Sequence, residues 1–381
     1  MTLDLDSARE TFEASTDFTV GIEEEFAVLD PDALGLVPRF EELRDAAAGD
    51  PVLAESIAGE LISSEIEIRS GKGADFHDAI ARQRDRRRRL FALAAERGVA
   101  LGATGTHPWS DYREQRIIDT DHYRRLDQEL GYVVWRNNTF SLHVHVGVRG
   151  ADRAVLVCDR LRPVLAVLLA ISANSPYLDA RDTRLHSART ESFTRVFPRC
   201  GIPDAFGGWS EFGDYVDLLV RTNSIVEFTQ VWWSIRPHTG FGTVEIRICD
   251  AQTTAAESEG LSALIVACVA QAARDVDAGA HTDDLPGRLI EENLWRATRY
   301  GLDGKLIDFE RGQEYPAAEA VHRLLEWTAP ARAELGIEPA LPELNGAQRQ
   351  RRMIETGAGM DEVYATSVRE TRETYAQEVI A

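Results

Sequence analysis

Lysine is nearly missing from this chain: of its 42 basic residues only Lys72 and Lys305 are lysines, and the rest are arginine. Acidic side chains outnumber basic ones 63 to 42, a formal charge of −21, which argues against a nucleic-acid backbone as partner, since such binding requires a basic stripe. Phosphate chemistry must therefore lean on arginine and metal. No Walker A loop is present, because Gly71-Lys72-Gly73 and Gly102-Ala103-Thr104-Gly105-Thr106 both lack the GKS or GKT ending, and each reads as a turn. Cysteine is also sparse. Cys158, Cys200, Cys249 and Cys268 show no CxxC spacing, so neither a disulfide framework nor a thiolate metal site is expected. No apolar run approaches the roughly 20 residues that span a bilayer, the longest lying around Val164 to Ile171. The start, Met1-Thr2-Leu3-Asp4-Leu5-Asp6, lacks the basic-then-apolar order of a signal peptide, and the expected location is the cytoplasm. Such an acidic, lysine-poor surface fits a protein working in high salt, where screening weakens self-repulsion.

What is present is a core and an unusual polar pattern. With 381 residues and 44% hydrophobic content the chain can bury a substantial interior. Three segments alternate apolar residues with charged or metal-type ones. In Phe18 to Val28 the bulky apolar residues take even numbers, and Glu23 and Glu25 share the odd face. In Ser141 to Val148, His143 and His145 lie opposite Leu142, Val144 and Val146; in Val244 to Ile248, Glu245 and Arg247 lie opposite Val244, Ile246 and Ile248. Side chains alternate across a strand, so each pair points to one side together.

Three amphipathic strands with one wet face would give the same periodicity. Solvated faces, however, mix Thr, Ser, Lys and Gln, whereas these carry Glu, His and Arg. Two carboxylates about 4 Å apart repel by roughly 1 kcal/mol in water and about 4 kcal/mol at an effective dielectric near 20. A cation removes that cost. Carboxylates with imidazole and no thiolate suit Mg²⁺ or Mn²⁺ better than structural zinc.

The remaining pattern is mixed rather than a regular βα repeat. Helices are expected at Arg39 to Ala48, Asp75 to Arg97 and Asp152 to Ala173, with the run Arg82 to Arg89 as a solvated helix face. Strands are expected at Leu61 to Arg69 and Val99 to Thr104, and extended chain at Tyr215 to Val220 and Val226 to Ile235. Gly240-Phe241-Gly242 turns the chain into the Glu245 strand. Between Asp179 and Gly213 lies an irregular stretch suited to substrate-contacting loops. Strands before helices, without strict alternation, indicate an α+β fold: an antiparallel sheet whose concave face is catalytic and whose other face is backed by helices. Residues 1–381 read as one catalytic domain, mostly helical from about Ala255. Cys158 and Cys268 fall in apolar helical segments as core residues. Cys249 shares the parity of Glu245 and Arg247 and is a candidate for the same face.

Gly21 to Phe26, Glu60 to Arg69, Gly105-Thr106-His107-Pro108, Leu142 to Gly147, Trp232 to Arg247 and the final Arg351 to Glu373 region follow an order that resembles the carboxylate-amine ligases of the second glutamate-cysteine ligase type. That family is similar in its sheet to glutamine synthetase. The resemblance implies metal ligands at Glu23, Glu25, Glu60, Glu67, His143 and Glu245, an arginine for the transferred phosphoryl group at Arg247, and a nucleotide-phosphate neighbour at His145. Glu60 and Glu67 have opposite parity and cannot share one face of an unbroken strand, so either a bulge intervenes or Glu60 sits in the preceding loop; Glu65, with the parity of Glu67, is the rival.

Joining an amine to an unactivated carboxylate is uphill in water. ATP must first phosphorylate the carboxylate, with metal and arginine neutralising charge on the moving phosphoryl group. Arg236, between two tryptophans and Pro237-His238, is a second catalytic candidate as a guanidinium presented by a rigid turn, against a structural ion pair. Arg189, Arg195, His107 and His238 are candidate substrate contacts, while His122 and His186 read as surface or satisfied histidines. The expected function is ATP- and Mg²⁺- (or Mn²⁺-) dependent formation of γ-glutamylcysteine from L-glutamate and L-cysteine, with neither nucleic acid nor membrane as partner and a homo-oligomer left open. Two alternatives stand beside it: a ligase of the same fold joining another acid or amine, and a metallohydrolase using His143 and His145 to activate water.

Overall fold

The computed structural model describes residues 4–280 and 285–377. Its centre is a seven-stranded sheet built from β1 (Val20–Leu29), β2 (Ile57–Ala58), β3 (Glu65–Arg69), β4 (Ala100–Gly102), β5 (Ser141–Gly147), β6 (Ile235–His238) and β7 (Thr243–Asp250). The order is β6-β7-β5-β1-β3-β2, with β4 paired to the Ala27–Leu29 end of β1 and every pairing antiparallel.

The alternation read from the sequence sets which face is which. Ile22, Leu142, Val144, Val146, Val244 and Ile246 are all essentially inaccessible and share one hydrophobic cluster. Against them pack the helices Ala151–Leu161, Leu165–Ser172 and Ala255–Asp277. Each such side chain contributes roughly 1.5–3 kcal/mol on burial. A one-residue slip in register would turn the whole set outward, so the apolar residues fix the register that the polar face inherits. Helix Ala255–Asp277 starts at a capping box between Thr254 and Glu257 and is buried on nearly every side, because it runs between the sheet and helix Ala317–Leu335.

Several expected elements take their places nearly as read: helices Phe40–Ala47 and Phe76–Glu96, the latter followed by left-handed Gly98 and then β4. Others differ. The expected helix from Asp152 to Ala173 is broken into Ala151–Leu161, a 3₁₀ turn Arg162–Val164, and Leu165–Ser172, because Pro163 cannot donate to the helical ladder and its ring clashes with the preceding turn. Tyr215 to Val220 is not extended but lies within helix Trp209–Arg221, whose buried Trp209, Phe212, Gly213 and Val216 follow helical spacing. The helical C-terminal part is interrupted by a hairpin, Lys305–Asp308 with Gln313–Pro316. Among the described residues no helix is long and apolar enough to cross a membrane.

Candidate active site

The polar face of the sheet floors a cavity of about 320 Å³. Strand register places its chemistry in rows. Glu23 sits between His143 on β5 and Arg69 on β3, Glu25 lies opposite Glu67, and Glu245 lies between His145 on β5 and Arg236 on β6. These side chains all line the cavity, with Glu60, Glu65 and Arg247. Glu60 reaches it from the loop between β2 and β3, on which Glu65 and Glu67 share one face. The parity conflict between Glu60 and Glu67 is thus resolved by a loop, and Glu65 joins them instead of replacing one.

Two groups of donors converge. Ligand atoms of Glu23, His143 and Glu245 lie within 4.8 Å of one another, as do those of Glu25, Glu67 and His143. His143 Nδ1 is 3.4 Å from Glu23 Oε2, and His143 Nε2 is 3.9 Å from Glu25 Oε1 and 2.8 Å from Ser141 Oγ. His145 Nε2 is 3.4 Å from Glu23 Oε1 and 3.8 Å from Glu245 Oε1, while its Nδ1 meets Thr243 Oγ1 at 3.0 Å. Arg247 Nη1 donates to Glu245 Oε1 at 2.5 Å, and its buried Nε has no hydrogen-bond partner among the described residues.

The two halves of the cavity differ in electrostatics. Burial raises the Glu23 carboxyl, but the charge of His145 and hydrogen bonds from both histidines more than offset it and hold Glu23 well below the usual carboxylate range. Burial likewise opposes ionisation of Glu245, and Arg236, then Arg247, override it. Across the floor the balance reverses. Burial, with the charge of Glu25 next, pushes Glu60 up to about 8 and Glu65 well above its ordinary value; burial, then Glu23, does the same to Glu67. Burial also lowers His143, with Arg247 adding to it, which keeps that imidazole neutral and able to ligate. Clustered carboxylates, ionised in one group and crowded in the other, beside a neutral imidazole and no thiolate, fit a hard divalent cation at each group.

A glutamate-cysteine ligase family 2 model matches residues 19–374. The chain belongs to glutamate-cysteine ligase family 2. A relative from Rubrobacter xylanophilus, provisionally named glutamate–cysteine ligase 2-2, is 39% identical over 93% of this chain and 91% of its own. One from Solibacter usitatus, provisionally named glutamate–cysteine ligase 2, is 37% identical over 93% of each. Among solved structures the fold resembles glutamate–cysteine ligase of Francisella tularensis in complex with AMP, at a TM-score of 0.66 and 12% identity over 95% of this chain and 91% of that one. It also resembles a bifunctional glutathione synthetase of Pasteurella multocida, at a TM-score of 0.67 and 12% identity over 97% of this chain and 54% of that one.

In this family 2 ligase the other expected site residues separate. Arg236 is buried, its Nε donating to Glu245 Oε2 at 2.6 Å and its Nη1 to the Val231 carbonyl at 2.6 Å. Its guanidinium lines the cavity beside Glu245, held there by this ion pair and by the Val231 carbonyl. Arg189 lines the cavity, yet its Nη atoms donate to the carbonyls of Ile248 and Arg247, 3.1 Å each. It braces the strand carrying Arg247, while its buried Nε has no hydrogen-bond partner among the described residues. Arg195 lies outside the cavity as an exposed pair with Glu291 at 2.7 Å. His107 is also outside: fully buried, it donates to the Leu34 carbonyl at 2.7 Å, accepts from Ser110 N–H at 3.0 Å, and is lowered to about 4 by burial. His238 stays on the wall.

Cys249 leaves the polar face. Between Ile246, opposite Val144, and Cys249, opposite Leu142, β7 carries one residue more than β5, a bulge that flips the parity and sends the thiol into the core. Trp233 is core, whereas Trp232 lines the cavity with Phe193, Phe197 and Tyr123. Arg69 and Ser141 share the strand parity of Glu67 and His143 and could have been read from it. Tyr123 and Phe193 come from helices Asp121–Leu130 and Ala188–Thr194, and no local pattern marks them.

Proposed function

We propose that this chain is an ATP-dependent ligase that joins the γ-carboxylate of L-glutamate to the amine of L-cysteine, giving γ-glutamylcysteine. One observation carries the reading: Glu23, His143 and Glu245 on three different strands bring ligand atoms within 4.8 Å, with Arg247 on the same wall, in a chain of this ligase family. A carboxylate oxygen of glutamate displaces ADP from the γ-phosphorus. The cysteine nitrogen then attacks the acyl phosphate carbon, the C–O bond to phosphate breaks, and the amine loses its proton as the amide forms. Bound Mg²⁺ or Mn²⁺ would supply positive charge to neutralise the transferred phosphoryl group.

The chain's own residues would divide the rest. Glu23, His143 and Glu245 would hold one cation, and Glu25 and Glu67, with Glu60 or Glu65, another. Arg247, pinned by Glu245 at one nitrogen, would offer its remaining N–H groups to the equatorial oxygens of the moving phosphoryl group, where charge builds only during transfer. His145, raised because Glu23 and Glu245 outweigh its burial, would add positive charge beside the phosphates. The carboxylate wall would draw in a protonated amine. Next to it, Leu61, Leu126, Phe193 and Trp232 on the cavity lining suit a small, weakly polar side chain such as that of cysteine.

The test is ADP release with Mg²⁺ and ATP. Release is expected only when glutamate and an amine are both present, with cysteine fastest in an amine screen. Amide hydrolysis without ATP would overturn the reading in favour of a metallohydrolase, and a strong preference for another amine would overturn the cysteine assignment alone.

A further inference from the structure

The turn Gly240-Phe241-Gly242 between β6 and β7 holds an aromatic ring in the open. Phe241 is 60% exposed yet lines the cavity. Its ring lies parallel to that of His238, with centroids 4.3 Å apart and planes 10° from parallel, and His145 meets it at 5.6 Å near a right angle. The turn cannot easily relax to bury it. Phe241 and Gly242 N–H both donate to the His238 carbonyl, at 3.2 and 3.0 Å. Gly242 has φ +65°, and a Cβ there would lie 2.8 Å from the Thr11 carbonyl oxygen, so only glycine fits. Ser15 Oγ donates to the Gly242 carbonyl at 2.7 Å, tying the turn to the N-terminal helix region. A single exposed phenylalanine is ordinary. One stacked on a histidine, fixed at a cavity wall, beside a buried His238 Nδ1 with no partner among the described residues, is a built surface.

We infer that Phe241, backed by His238, is the platform on which the purine base of the nucleotide stacks. The inference rests on the ligase reading above. From this turn, Thr243, Glu245 and Arg247 follow along β7, with His145 opposite Glu245. A polyphosphate lying along that row reaches Arg247 with its terminal group and leaves its base at the turn. The other aromatic wall is already packed within itself, Phe193 on Phe197 at 4.8 Å and Phe197 on Trp232 at 5.5 Å.

Calorimetric titration of the full chain with ATP and with inorganic tripolyphosphate, both with Mg²⁺, separates base from phosphate. The wild-type chain is expected to bind ATP more tightly than tripolyphosphate. Phe241→Ala should weaken ATP about ten-fold or more, the scale of one base–aromatic stack, while leaving tripolyphosphate binding within about two-fold, and Phe241→Trp should keep ATP affinity. Equal loss for both ligands, or no loss for ATP, would overturn the platform. A wild-type chain that bound no ATP would instead overturn the ligase reading and this inference with it.

Discussion

Glu24 turns away from its neighbours Glu23 and Glu25 and closes a two-point ion pair with Arg87 beneath the sheet. Arg87 Nη2 and Nε donate to its two oxygens at 2.5 and 2.6 Å, and both side chains are almost fully buried. Gln83 Nε2 donates to the same carboxylate at 2.8 Å, and Ser258 Oγ donates as well. Charge so deep is tolerated because nearly every lone pair is satisfied.

Removing one partner should expose that dependence. Arg87→Met is expected to destabilise the fold by about 3–5 kcal/mol, because it leaves an uncompensated buried carboxylate, and adding Glu24→Gln should recover part of the loss. Urea unfolding of the single and double variants checks this. A single variant within about 0.5 kcal/mol of wild type would show that the pair is energetically idle.

Arg247 has a different expected signature. Arg247→Ala should lower kcat on the order of a thousand-fold, the range for an arginine that meets charge only in the transferring phosphoryl group. Its folding and metal binding should change little. Steady-state kinetics beside a thermal melt decides the matter, and collapse of the fold would make Arg247 structural.

The raised carboxyls set a pH window. Glu60 lies at about 8 in the folded chain against an ordinary 4.5, and Glu65 and Glu67 are raised as well. The folded state therefore keeps protons that the unfolded chain has released. The Glu60 contribution to stability is complete below about 4.5 and is lost as pH rises through about 8, and those of Glu65 and Glu67 are lost in the same direction. Glu23 and Glu245, shifted downward, lose their contribution only on the acid side and do not enter this window. Without metal, the urea midpoint should fall between about pH 5 and pH 8. Mg²⁺, which requires the ionised carboxylates, should raise it more at the upper end. Glu60→Gln should flatten part of the slope. A midpoint indifferent to both pH and Mg²⁺ would remove the carboxylates from any cation site.

Net charge predicts a salt response. At −21, self-repulsion in the folded state should be screened by molar KCl, whose Debye length is roughly 3 Å. The melting temperature is expected to rise with salt, and a flat or falling one would refute the high-salt reading.

How far the site could be read in advance depended on how local its cause was. Glu23, Glu25, His143, His145 and Glu245 lie within regular stretches of strand, where alternation alone assigns the face. The same rule misled at Cys249, since a one-residue bulge is invisible to periodicity. Arg82 to Arg89 read as a wet helix face, and most of it is, yet Arg87 is 1% exposed because Glu24 waits below it. His107 and Arg195 are isolated polar residues whose partners, the Leu34 carbonyl and Glu291, are distant along the chain.

The amino-acid order alone determined the strand faces, the acidic surface, the scarcity of lysine and the family likeness, because each follows from neighbours in the chain. Only the tertiary structure decided that β5 lies between β1 and β7, which is what brings Glu23, His143 and Glu245 together across more than two hundred residues of sequence. It alone lifted Glu60 into the cavity from a loop, paired Arg236 with Glu245 across two strands and left Phe241 standing at the wall. Strand adjacency and loop reach depend on how whole layers pack, and no local pattern of side chains encodes that.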